Sequence, residues 1–137
     1  VEFFSKEELI AAASSRTLPC EPVELTIGPV TKAVWVQGMS GTQRDAWERS
    51  LLVGRGKRRD VNTENVRARL AVRCLVDQPN GQRLFTDAEA EILGQLPAAV
   101  LNPIFEKAQR LSGVSDEDID DLKKSSEATA GSGSLTN

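Results

Sequence analysis

Apolar positions change their spacing three times along this chain. Val23, Leu25 and Ile27 alternate with polar residues, and Val30, Val34 and Val36 do so in part after Gly28-Pro29. A period of two means one face of a pleated strand, so the stretch predicts a β-hairpin of two short strands that ends at Gly38. Pro22 and Pro29 fit strand ends, where a missing N–H costs no ladder bond. A second alternation starts at Val66 and runs through Ala68, Leu70, Val72, Cys74 and Val76, with Arg67, Arg69 and Arg73 between. It favours a strand over Leu70–Val76 with a helical or extended lead-in, although Val66, Leu70 and Cys74 also satisfy helical spacing. Pro79-Asn80-Gly81 then supplies a tight reversal, and Arg83 to Phe85 returns as a short strand.

Helical starts carry their own signature. Ser5 is followed by Glu8, Ser40 by Gln43, Thr86 by Glu89, and Ser115 by Asp118. In each pair a hydroxyl can accept from the third amide while the third side chain reaches back. The Asp118 box is the weakest, because its side chain is short. Gly54, Gly94 and Gly113 supply stops. Helices are therefore expected over Lys6–Ser14, from Gly41 to about Val53, and from Asp87 to about Leu93 on a stripe of Ala88, Ile92 and Leu93. Another is expected around Ile104, Phe105, Ala108 and Leu111, and a short acidic one from Ser115 to about Lys124. Asn102-Pro103 suits either a fresh helix start or a kink in a continuous helix.

Together these elements predict an α+β fold: a small antiparallel sheet, with hairpins near 23–37 and 70–85, packed with about five helices and a helical C-terminal half. Residues 1–124 read as one domain, interrupted by a mobile basic loop at about 54–62. The segment 125–137, SSEATAGSGSLTN, is small, polar and aperiodic, the composition of a disordered tail.

Composition narrows the function classes. The chain has 137 residues, a net charge of −3 and a charged fraction of 27%. An acidic balance argues against a dedicated nucleic-acid binder. No apolar run approaches bilayer length, and no signal-peptide pattern opens the chain, so a cytoplasmic protein without a membrane role is expected. Histidine and tyrosine are absent. That removes the commonest general base and every imidazole metal site, and the expectation is a protein that is not an enzyme and needs no cofactor. Cys20 and Cys74 match no metal or redox spacing and read as small buried hydrophobes. Asp116, Asp118 and Asp120 have the spacing of a calcium loop, but Asp121 stands where the loop's sharp turn requires glycine. Asp87 and Glu89 lie in a first helical turn, where negative charge is favoured without catalysis.

The large apolar residues are more informative. Trp47 reads as core. Phe3, Phe4, Trp35, Met39, Phe85 and Phe105 lie at element ends, and those left exposed are candidates for self-association or partner binding. One of Phe3 and Phe4 is expected to staple the first helix. Arg55, Lys57, Arg58 and Arg59 form a candidate charged contact loop; their glycines lack phosphate-loop spacing, and no aromatic is interleaved for base stacking.

The running order VWVQGMSGTQRDAWE, RARLAVRCLVD and NGQRLFTDAEAEILGQLPAAVLNPIFEKAQRLSG resembles the tail assembly chaperones of long-tailed, siphovirus-type phages and prophages. The similarity spans roughly Val23 to Gly113 and rests on G-M-S-G-x-x-R-D, D-x-x-G-x-R-L-F-[ST]-D and the following L-P-A-A-x-L. It implies a non-enzymatic protein of the host cytoplasm that binds and solubilises the tape-measure protein and assists tail-tube polymerisation. Such a protein is absent from the mature virion. The resemblance further implies a homo-oligomer, and a longer frameshifted form through which the tail-tube protein could be met. It supplies no binding site residue by residue. The alternative is a structural head-tail connector or tail-completion protein that stays in the virion.

Overall fold

A computed structural model describes residues 1–53 and 60–124. The basic positions Arg55, Lys57, Arg58 and Arg59, the stop at Gly54 and the segment 125–137 lie outside the described residues.

The chain begins with α1 (Lys6–Ser15), followed by β1 (Cys20–Ile27) and β2 (Val30–Gln37). These strands pair antiparallel from Cys20↔Gln37 to Ile27↔Val30, so the expected hairpin is present and longer at its open end. Gly28 turns it with φ 60°. β1 is the edge of the sheet, which explains why Pro22 is tolerated inside it. Next come α2 (Gly41–Ser50), β3 (Leu52–Val53) and β4 (Asp60–Val61), the last two forming a separate antiparallel pair. The second helix is therefore shorter than its expected run to Val53, and Asp60–Val61 of the expected loop is strand.

The largest correction concerns the second alternation. Residues Val66–Cys74 form a helix, α3, and only Leu75–Val76 is strand, β5. Val66, Ala68, Leu70, Ala71, Val72 and Cys74 are all buried. A helix covered on most sides needs no single apolar stripe, so its pattern can alternate by chance. Alanine, leucine and arginine are also strong helix formers, and here that preference agrees with the packing. The reversal at the expected place survives in reduced form. Asp77 N–H donates to Gln82 O (3.0 Å), Leu84 N–H donates to Leu75 O (3.0 Å), and Arg83 bridges Val76.

A 3-10 turn (Asp87–Glu89) leads into α4 (Ala90–Leu93), then α5 (Ala98–Ser112) and a last helix, α6 (116–124). Pro103 sits inside α5, which settles the two readings of Asn102-Pro103 in favour of one continuous helix. In α4 the buried residues are Ala90 and Leu93, whereas Ile92 is 67% exposed and Ala88 is exposed too. The short helix thus turns a different side inward from the expected stripe.

The three-stranded antiparallel sheet, ordered β1-β2-β5, lies against α5, and α3 runs through the centre of the helical layer. Trp47, Leu51, Leu70, Leu75 and Ile104 are its largest fully buried side chains. The fold is α+β with a mainly helical C-terminal half, as the spacing implied. Among the described residues no helix is long and apolar enough to cross a membrane.

Candidate interaction surface

All four expected capping pairs form. Ser5 and Glu8, Ser40 and Gln43, and Ser115 and Asp118 each exchange both hydrogen bonds, at 2.9–3.2 Å. At Thr86, the Glu89 carboxylate accepts from both the N–H (2.8 Å) and the hydroxyl (3.2 Å). The backbone donation from Ser115, then its hydroxyl contact, holds the Asp118 carboxyl below its ordinary range.

The sequence motifs that look family-like prove to be joints between elements. In G-M-S-G-x-x-R-D, Gly38 lies so close to Leu111 that a Cβ would collide with its carbonyl. Met39 is buried, and its N–H donates to the Ser112 hydroxyl (3.0 Å). Arg44 donates to Gly113 O (3.0 Å), Asp118 (3.2 Å) and Glu48 (3.3 Å), tying α2 to the end of α5 and the start of α6. Gly113 ends α5 in the left-handed region at φ 69°, where glycine is favoured.

The stretch from Asp77 to Asp87 is a second joint. Asp77 accepts from Gln82 N–H (3.0 Å), and Gln37 at the end of β2 accepts from Asn80 N–H (2.6 Å). Arg83 donates to Val72 O (3.1 Å), an acceptor near the end of α3, and to Asp87 (2.8 Å). Arg73 meets the other Asp87 oxygen at 2.6 Å. Burial pushes the Asp87 carboxyl up, but the Arg83 hydrogen bond and the neighbouring Arg73 charge outweigh it, leaving the group below its usual range. Glu21 is likewise held low by Arg110, then Lys107, which clamp β1 onto α5.

The arginines of α3 are engaged inside the molecule. Arg67 lies over the Phe105 ring at 5.2 Å and donates to Asn102 (2.6 Å), and Arg69 donates to Glu64 O (2.7 Å). With Arg73 paired to Asp87, each of these side chains has its own partners and they do not line up as a free basic strip.

The candidate partner residues separate clearly. Met39 and Phe105 are core, at 8% and 5% exposure, and leave the candidate surface. Trp35 and Phe85 are half-buried. Phe3 and Phe4 stand out in solvent at 89% and 77% exposure. Phe4 precedes the cap and Leu9 is its geometric partner for a staple; both stand more than half exposed, at 77% and 57%. No residue of α1 is buried, and Ile10 extends the same exposed apolar group. Sequence reasoning marked Phe3 and Phe4 but missed Leu9 and Ile10, because a capped helix carrying large apolar residues reads as a packed one. It also missed Ile27 and Val30 at the hairpin tip, which are about half exposed.

A cleft of about 930 Å³ separates α1 from the body. Ala12, Ala13 and Leu18 line one side, and Gln37, Ser40–Gln43, Asn80 and Gly81 line the other. The thiols differ: Cys20 is half-buried, while burial pushes Cys74 up to about 11, so it stays protonated beside Ser112. Among the described residues no group of three or more acidic or cysteine side chains is placed to hold a metal ion. No family model, curated protein or solved structure matches the chain.

Proposed function

We propose that this chain is a non-enzymatic assembly chaperone for a long phage tail. It binds the helical tape-measure protein in the host cytoplasm, keeps that client's apolar surface soluble while tail-tube subunits polymerise, and departs before the tail matures. The observation that carries the reading is the N-terminal segment and first helix: Phe3 and Phe4 before the cap and Leu9 and Ile10 within α1 are all more than half exposed beside a body whose own core is closed. A helix and leading segment that leave large apolar side chains uncovered suit an amphipathic helical client. The resemblance of the two joint motifs to tail assembly chaperones supports the same reading, since those joints hold the body that presents the helix.

Co-expression with the very long, helix-rich product of the neighbouring tail gene tests it. The client should become soluble and co-purify, and Phe3→Ser/Phe4→Ser/Leu9→Ser should lose the complex while the chain remains folded by circular dichroism. Absence of any solubility gain overturns the proposal. Recovery of the chain from purified virions would instead favour a connector or tail-completion protein.

A further inference from the structure

The hairpin has two long sides, and they are not equally closed. Gly28 turns it at φ 60° and Pro29 follows, so the connection is a two-residue turn with glycine first. Ile27 and Val30 flank that turn and exchange their backbone hydrogen bonds, and the alternation then runs back along both strands. Lys32, Val34 and Val36 therefore turn their N–H and C=O toward β1. Thr31, Ala33 and Trp35 turn theirs toward the β5 side. Two contacts fit this alternation. The Thr26 and Thr31 hydroxyls meet at 2.9 Å, as side chains do across a pair without backbone bonds. Trp35 pairs with Val76, and the neighbouring Leu75 turns its carbonyl to the far side of β5, where it accepts from Leu84 N–H (3.0 Å).

β5 is too short to fill its side of the hairpin. It pairs with Trp35 and Val36 only, and the chain then reverses, with Asp77 N–H donating to Gln82 O. Beside Thr31 and Ala33 the row is empty among the described residues. Both N–H groups and both carbonyls face that slot, in line with β5. Thr31, Lys32 and Ala33 are exposed, and Val30 is 46% exposed, so no described element covers it.

The outer side of β1 differs. By the same alternation Pro22 turns outward there, where it has no N–H to give, and the next outward position is the exposed Glu24. Proline and charge blunt that edge. The slot beside β2 carries no proline.

Side chains set what the slot can take. Val30, Lys32 and Val34 lie on the α5 side of the hairpin, as Val23, Leu25 and Val36 do. The Lys32 ammonium meets no carboxylate among the described residues. Its backbone turns away from the slot, so a residue set opposite comes within about 4.5 Å, Cα to Cα. A carboxylate there is favoured, whereas a second cation directly opposite is destabilising.

We propose that β2 is a docking strand for an extended partner segment of the pattern apolar-x-acidic-x-apolar. The segment adds antiparallel beside residues 30–34, as β5 does beside Trp35 and Val36, and exchanges backbone hydrogen bonds with Thr31 and Ala33. Its carboxylate stands opposite Lys32 and its apolar residues opposite Val30 and Val34. So short a strand buries little area, and the contact is weak and transient. It lies at the turn end of the hairpin, whereas α1 leads into the open end at Cys20. The docking strand is therefore independent of the helical client and is tested without it.

Amide spectra of the isotope-labelled full chain, titrated with the peptide acetyl-Thr-Val-Thr-Glu-Thr-Val-Thr-amide, read the result. In the free chain the Thr31 and Ala33 amides should exchange quickly with solvent, while those of Lys32 and Val34, bonded to β1, are protected. With peptide, Thr31 and Ala33 should shift and gain protection, with Kd about 0.1–1 mM. Lys32→Glu should weaken this binding at least about fivefold and transfer the preference to the same peptide with lysine in place of glutamate. Ala33→Pro removes a slot-facing donor without breaking a bond to β1, and should abolish binding while the Leu25 and Thr26 signals stay in place.

No shift at Thr31 and Ala33 with about 5 mM peptide overturns the proposal, as does binding that Lys32→Glu leaves unchanged. Lys32→Glu decides alone where Ala33→Pro disrupts the hairpin. Thr31 and Ala33 amides already protected in the dilute free chain also overturn it, because the chain then fills its own slot. Protection that grows with chain concentration gives the slot to a second copy and overturns it equally.

Discussion

Helices α1 and α2 are built by the same local rules and end in opposite environments. Each has ten residues, a closed serine capping box and a large apolar residue just before the cap. That residue is 77% exposed at Phe4 and 8% exposed at Met39. Capping therefore decides where a helix starts and says nothing about what will cover it. Met39 is held because its N–H meets Ser112, 73 positions away, and because Gly38 lets the strand end lie against Leu111. Nothing comparable reaches back to Phe4 among the described residues. A body closed by long-range joints stands beside a helix that remains available.

The contrast can be broken most forcefully in the core. Trp47→Ala empties a site that is 1% exposed and should cost about 3–5 kcal/mol in a urea melt. Gly38→Ala should cost about 2 kcal/mol, because the new methyl must push the strand away from the Leu111 carbonyl. A smaller Gly38 effect would mean that β2 and α5 slide easily, and the joint would lose its assigned role.

Removing equivalent caps sharpens the comparison. Ser40→Ala should lower global stability by about 1 kcal/mol, since α2 belongs to the body. Ser5→Ala should fray α1, visible as faster amide exchange there, while the unfolding midpoint of the body stays the same. Equal losses of global stability from both substitutions would show α1 to be part of the cooperative unit.

Acid should act on the body through its ion pairs. Asp87, Glu21 and Asp118 all have lowered pKa values in the folded chain. The unfolded chain therefore binds more protons in acid. The stability these groups contribute is present above the unfolded carboxyl range near about pH 4 and is lost as pH falls through the lower folded values. Asp87→Asn should flatten that acid slope and cost less than about 1 kcal/mol at neutral pH, because its side chain is 48% exposed. The smallest effect belongs to α1: Leu9→Ser should change body stability by less than about 0.5 kcal/mol, measured by the same melt.

What was legible in the sequence was local. The Ser5, Ser40 and Ser115 boxes could be read directly, because a cap is made by residues three positions apart. The first hairpin was legible for a similar reason: its alternation and Gly28 lie within one short stretch. The candidate surface was only half legible. Exposure at Phe3 and burial at Met39 follow from what the rest of the chain brings near, and both residues precede the same kind of cap.

The sequence by itself determined where most helices begin, where the first hairpin turns, and that the chain mixes a small sheet with a helical second half. Tertiary structure decided that Val66–Cys74 is a buried helix, that Pro103 lies within a continuous α5, and that the α3 arginines are used internally. The physical reason is range. Spacing records one face of an element, whereas α3 is covered on most sides by partners distant in sequence, and α1 is left uncovered because the described body closes without it.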